Sequence, residues 1–175
     1  MTAFQISAAK DIRLRYNRNE PRVGPMRADG GIHVPDIKHA IEISATPEKV
    51  YSLVSTASGL GQWWATDITQ PGPTVDLGFF NRATVYRLRL LSERPPLHAD
   101  WICESGDEWN GTHLTFDLEA TKSAALIRFA HAGWRTESPY FRSCNTTWGE
   151  LMFRLKAAAE GRTRGPLFTR DGWLP

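Results

Sequence analysis

The chain is poor in cysteine: Cys103 and Cys144 are its only two in 175 residues. Two thiols do not make a disulfide framework, so a reducing cytoplasm is the expected setting. Net charge is also small, +2 at pH 7, too little to imply a nucleic-acid partner. No stretch approaches the ~20 apolar residues of a membrane helix. Residues 1–10 lack the apolar centre of a signal peptide, so no membrane partner is expected. His33, His39, His98, His113 and His131 are scattered, and no pair has compact ligand spacing, so no metal is expected. Without a phosphate-cradling glycine loop or a nucleophile elbow, no cofactor is expected either.

Tryptophan, by contrast, is plentiful, with seven residues. Each aromatic side chain buries ~150–250 Å². Seven indoles can fill a core or line a cavity, and composition does not separate the two. Their positions must.

Length fits one domain with loose ends: an extension over residues 1–33, a patterned domain over 34–161 and a tail over 162–175. The extension is basic, with Arg13, Arg15, Arg18, Arg22 and Arg27, and is broken by Pro21, Gly24 and Pro25. It reads as a loosely packed arm, and Met26 stands as an alternative start just before the patterned region. From Ile37 the pattern becomes a half-buried strand, with Ile37, His39, Ile41 and Ile43 on one face. Thr46-Pro47-Glu48 then opens a short helix, and Ser58-Gly59 a second. After a turn at Pro71-Gly72-Pro73, short strands, six at most, follow between residues 75 and 131, spaced as an antiparallel meander. The last element is a long helix over residues 139–160, capped by Ser138 and ended by Gly161. At 1.5 Å per residue it would be ~33 Å long, enough to lie along the whole sheet. Arg154 is read on its flank or opposite side. An antiparallel sheet with helices gathered on one face is an α+β solution.

Several segments carry a resemblance. They are residues 41–51 (IEISATPEKVY), 63–66 (WWAT), 131–134 (HAGW) and 144–148 (CNTTW), ending at Leu155-Lys156 and Gly161. In this order they resemble the helix-grip (START-like) superfamily, and within it the branch of activator-of-heat-shock-protein-ATPase homologues. The resemblance implies a curved antiparallel sheet wrapped around a long C-terminal helix, with an apolar cavity between them. It also implies three functions: binding of a small hydrophobic, aromatic or polyketide-like ligand; a cyclase, aromatase or dehydratase in the same pocket; or an interaction protein that regulates a chaperone ATPase.

Alternation along the strands turns Tyr86, Trp101, Phe116, Phe129 and His131 inward. Helical spacing turns Phe141, Cys144, Trp148 and Met152 to meet them, and Trp64 and Trp134 lie near element ends. These eleven residues are the expected ligand-binding set. His131 is its one acid–base candidate, and no residue is assigned a catalytic role. Asp100, Glu104, Asp107 and Glu108, around Trp101 and Trp109, read as a solvated acidic edge. Leu167, Phe168, Trp173 and Leu174 can pack on their own domain or on a second copy, which leaves a homodimer open.

Overall fold

The computed structural model describes residues 34–122, 124–162 and 164–173. The basic arm, Met26, His33 and Leu174 lie outside them. Strand β1 (Ile37–Ile43) leads into helices α1 (Pro47–Val54) and α2 (Ala57–Leu60). Strands β2 (Asp67–Thr69), β3 (Thr74–Phe79), β4 (Thr84–Arg94), β5 (His98–Cys103), β6 (His113–Ala120) and β7 (Ala125–Ala132) follow. Helix α3 (Pro139–Ala159) comes next, then the short strands β8 (Phe168–Thr169) and β9 (Gly172–Trp173). The first seven strands form one antiparallel sheet in the order β1-β7-β6-β5-β4-β3-β2. A meander thus closes by pairing β7 with the first strand. This is the α+β helix-grip architecture that the resemblance implies.

Local chemistry sets the helix boundaries. Thr46 accepts a hydrogen bond from Lys49 N, and Ser138 accepts one from Phe141 N. Both are N-caps followed by proline at the first helical position. Gly161, at φ 72°, ends α3, with Arg162 N–H donating to Ala157 O at 2.8 Å. Gly59 lets α2 pack on α1: a Cβ there would lie 2.2 Å from Ser52 O and 2.6 Å from Leu53 Cα.

The alternation holds along each inner strand. Ala99, Trp101 and Cys103 are buried, as are Leu114, Phe116 and Leu118, and likewise Ile127, Phe129 and His131. The buried face of α3 carries Phe141, Cys144, Trp148, Leu151, Met152 and Leu155 above them.

Arg154 corrects the flank reading, because it is only 2% exposed. Its guanidinium pairs with Glu150 Oε1 at 3.0 Å and donates to the carbonyls of Arg164 and Gly165, each at 3.2 Å. A buried charge survives when its donors are used in this way. Here the acceptors belong to the chain after α3, so Arg154 fastens the tail.

The tail packs on its own domain. Leu167 and Phe168 donate backbone hydrogen bonds to Trp63 O and Trp64 O at 3.0 and 2.9 Å. Phe168 O accepts from Thr66 N at 2.9 Å, and the Phe168 ring meets Phe79 edge-on. Further along, Arg170 O accepts from Asn81 N at 2.8 Å. That contact braces a turn in which Phe80, Asn81 and Arg82 all have positive φ (52°, 54° and 61°), a conformation costly for side chains with a Cβ. Among the described residues, no helix is long and apolar enough to cross a membrane.

Candidate functional site

The start of β4, the end of β7 and the loop between β5 and β6 all reach the N-terminal turns of α3. Tyr86, His131, Trp109 and Trp148 are thereby brought together, with Trp64 and Trp134 beside them. Trp109 is the hub. Its ring lies parallel to Tyr86, with centroids 4.2 Å apart and planes 10° apart. On another side it stacks on Trp148 at 6.1 Å and 21°. It meets His131, Trp134 and Trp64 at 4.5, 6.4 and 6.2 Å. Gly106 lets the loop carrying Trp109 approach this closely. Its φ is +84°, and a Cβ there would sit 2.6 Å from Tyr86 Cε1. Ser138, the cap of α3, donates to Glu108 Oε2 at 2.8 Å and ties that loop to the helix.

Phe129 continues the cluster against Trp148 at 4.1 Å, and Phe116 lies behind Phe129 at 5.1 Å. Trp134 meets Phe141 edge-on at 5.2 Å. The rings thus pack on one another, and most are under 7% exposed. Tyr86 and Tyr140 are only half-buried and form the cluster's outer rim.

The polar atoms inside are few and specific. Trp148 Nε1 donates to His131 Nδ1 at 3.1 Å. An indole nitrogen only donates, so Nδ1 carries no proton. Thr112 Oγ1 donates to Trp109 O at 2.6 Å and lies 2.9 Å from His131 Nε2. The hydroxyl proton is already committed, so Nε2 is the protonated nitrogen and donates to Thr112. Both ring nitrogens of His131 are therefore engaged, and burial pushes its pKa down to about 3. The imidazole is neutral across the physiological range and holds two indoles in place, the second through its carbonyl, which accepts from Trp134 Nε1 at 3.1 Å.

The Tyr86 and Tyr140 hydroxyls form a short hydrogen bond across the rim. Burial, with Cys144 and Tyr86 beside it, holds the Tyr140 hydroxyl well above the usual tyrosine range. Burial also pushes the Cys144 thiol up to about 12, although Trp109 and Tyr140 next to it act in the opposite direction. A thiol with that pKa is protonated and a poor nucleophile at neutral pH. The Trp109 indole nitrogen is buried, and its N–H faces the Cys144 sulfur with no oxygen or nitrogen acceptor in reach.

Of the eleven residues expected from the sequence, Trp64, Tyr86, Phe116, Phe129, His131, Trp134, Phe141 and Trp148 join one ring cluster, and Cys144 joins its polar corner. Met152 is buried one turn beyond Trp148. Trp101 faces inward, but its Nε1 donates to Val54 O at 2.9 Å, the last turn of α1. Trp63 does the same to Leu53 O at 3.0 Å. These two indoles satisfy carbonyls left open where α1 ends.

Sequence reasoning missed two members. Trp109 stands among acidic residues in a loop, which has no periodicity to reveal its direction. Tyr140 precedes Cys144 and Trp148 by four and eight residues, a helical spacing that would have found it. A separate hollow of about 270 Å³ lies on the surface between Thr66, Asp67, Ile68 and Arg170. It is polar and remote from the rings. Among the described residues no group of His, Cys, Asp and Glu is arranged to hold a metal.

No protein-family model and no curated protein matches the sequence. Among solved structures, the chain is similar to the Aha1 dimer from Colwellia psychrerythraea. The identity is 30%, the match covers 74% of this chain and 98% of that one, and the TM-score is 0.66. A Bacillus halodurans protein known from a solution structure is 22% identical, with 73% and 98% covered and a TM-score of 0.59. DynU16, from the dynemicin biosynthetic locus, is 12% identical, with 69% and 45% covered and a TM-score of 0.57. The last two share the fold alone.

Proposed function

The chain belongs to the Aha1 family of helix-grip domains, and on that premise we propose that it binds a small, flat, apolar molecule between the sheet and α3. The ligand enters at the Tyr86–Tyr140 rim and stacks among the rings that Trp109 now holds together. The observation carrying this reading is the mixture of chemistry at the start of α3. A patch built only for packing has no need of two tyrosine hydroxyls, a thiol and an indole N–H converging among aromatic faces. Ligand pockets combine apolar walls with a few placed polar groups in this way. Entry requires the Trp109 ring to leave its stack on Tyr86, so binding and ring movement are one event.

His131 positions Trp148 and Trp134 in this reading and takes no part in proton transfer. The test is native mass spectrometry of the freshly purified full chain, followed by titration with N-phenyl-1-naphthylamine. A retained small-molecule mass, or saturable energy transfer from tryptophan to the probe, is expected. Bare protein that also leaves the probe's emission unchanged up to its solubility limit would overturn the proposal.

A second reading concerns assembly. The relative from Colwellia psychrerythraea is a dimer, and we propose a homodimer for this chain too. Light scattering coupled to gel filtration checks this, with twice the chain mass expected and a single-chain mass contradicting it.

A further inference from the structure

The indoles of this protein are not equivalent. Trp63, Trp101, Trp134 and Trp148 each donate their N–H to an acceptor within the fold: Leu53 O, Val54 O, His131 O and His131 Nδ1. Trp109 finds no oxygen or nitrogen acceptor, although it is 5% exposed and touches more rings than any of them. Its N–H reaches only the Cys144 sulfur, a weak acceptor. A buried donor left with so weak an acceptor costs free energy, and folded proteins seldom keep one without a use. Among the described residues, two other buried side-chain polar atoms lack partners, His39 Nε2 and Asp67 Oδ2. His39 stacks beside Phe129 as its cross-strand neighbour on β1, near Gly149 of α3 and away from Trp109, and Asp67 already pairs with Arg82 through its other oxygen at 2.5 Å. The Trp109 nitrogen belongs to the ring at the centre of the cluster, against Tyr86, His131 and Trp148.

We infer that the ligand is an aromatic molecule bearing a hydrogen-bond acceptor, such as an aryl ketone, whose oxygen takes the N–H of Trp109 while its ring stacks between aromatic faces. The frame is aromatic because Tyr86 and Trp148 already hold a flat ring on parallel faces. The oxygen is an acceptor because an indole nitrogen offers only a proton. This inference rests on the binding reading above and adds the polarity of the ligand to it.

The test compares two probes of one frame, naphthalene and 2-acetonaphthone, by calorimetry and by the indole ¹H–¹⁵N signals of the full chain. The ketone is expected to bind about tenfold more tightly, the gain of one recovered hydrogen bond. Only the ketone should move the Trp109 indole proton downfield. In Trp109→Phe the preference between the probes should vanish, whatever happens to the affinity for either. Equal affinities in the native chain, or a preference that survives in Trp109→Phe, would overturn the inference and leave the binding reading standing. Failure of both probes to bind would overturn both. The downfield shift is read in the native chain, assigned there by nuclear Overhauser contacts to Tyr86 and Trp148, so the test does not depend on the variant folding.

Discussion

Two neighbouring groups of tryptophans use the same side chain for opposite purposes. Beneath α1, Trp63 and Trp101 turn their N–H groups onto the helix's last carbonyls, and every polar atom of the pair is consumed by the fold. At the start of α3, Trp109 stacks on more rings, yet its N–H meets only the Cys144 sulfur, a weak acceptor. The groups touch through Trp63 and Trp64, whose centroids are 5.6 Å apart, so they share one apolar environment. What separates them is hydrogen bonding, not burial. A closed indole is structure, and an open one is capacity for a ligand.

The comparison can be broken most forcefully at Trp148, which joins the open group to His131. Trp148→Ala removes a large buried ring and the donor to His131 Nδ1 together. A loss of about 3–5 kcal/mol in unfolding free energy is expected from urea denaturation.

The next effect comes from pH. The folded pKa of His131, about 3, lies below its unfolded value of 6.5, so below that value the unfolded chain binds the extra proton. Stability from this group is complete above pH 6.5 and is lost as pH falls toward 3. Between pH 7 and pH 4 the loss from His131 is about 3 kcal/mol. It should be visible as a falling urea midpoint that flattens in His131→Gln.

Smaller, but sharper for the comparison, is one substitution made at two sites. Trp101→Phe leaves Val54 O without its donor and should cost about 1–3 kcal/mol. Trp109→Phe removes a donor that meets only the weakly accepting Cys144 sulfur, and its cost should fall about 1 kcal/mol or more below that of Trp101→Phe in the same titration. Equal costs would erase the distinction between the two groups. The smallest expected change is chemical. Burial pushes Cys103 up to about 11 and Cys144 up to about 12. Both thiols should therefore label on the order of a hundredfold more slowly in folded than in urea-unfolded protein at pH 8.

The sequence showed faces well and positions poorly. Period-two alternation was enough to turn Tyr86, Phe116, Phe129 and His131 inward, and helical spacing did the same for Phe141, Cys144 and Trp148, because each regular element presents one face to the core. The antiparallel meander and the long helix followed from that patterning. Alternation says nothing about what lies above an inward residue. Trp101 therefore looked like the other inward aromatics, when its nitrogen in fact closes α1. Trp109 was illegible because its loop has no period, and acidic neighbours disguised it. Arg154 was misread because charge on a helix usually signals solvent, whereas the carbonyls that satisfy it come from residues ten or more positions later.

The most direct measurement is a ¹H–¹⁵N titration of the native chain with 2-acetonaphthone, following the indole signals one by one. Trp109, Trp134 and Trp148 are expected to shift with saturation while Trp63 and Trp101 stay where they are. Shifts centred on Trp63 and Trp101, or no saturable shift at Trp109, would contradict this expectation.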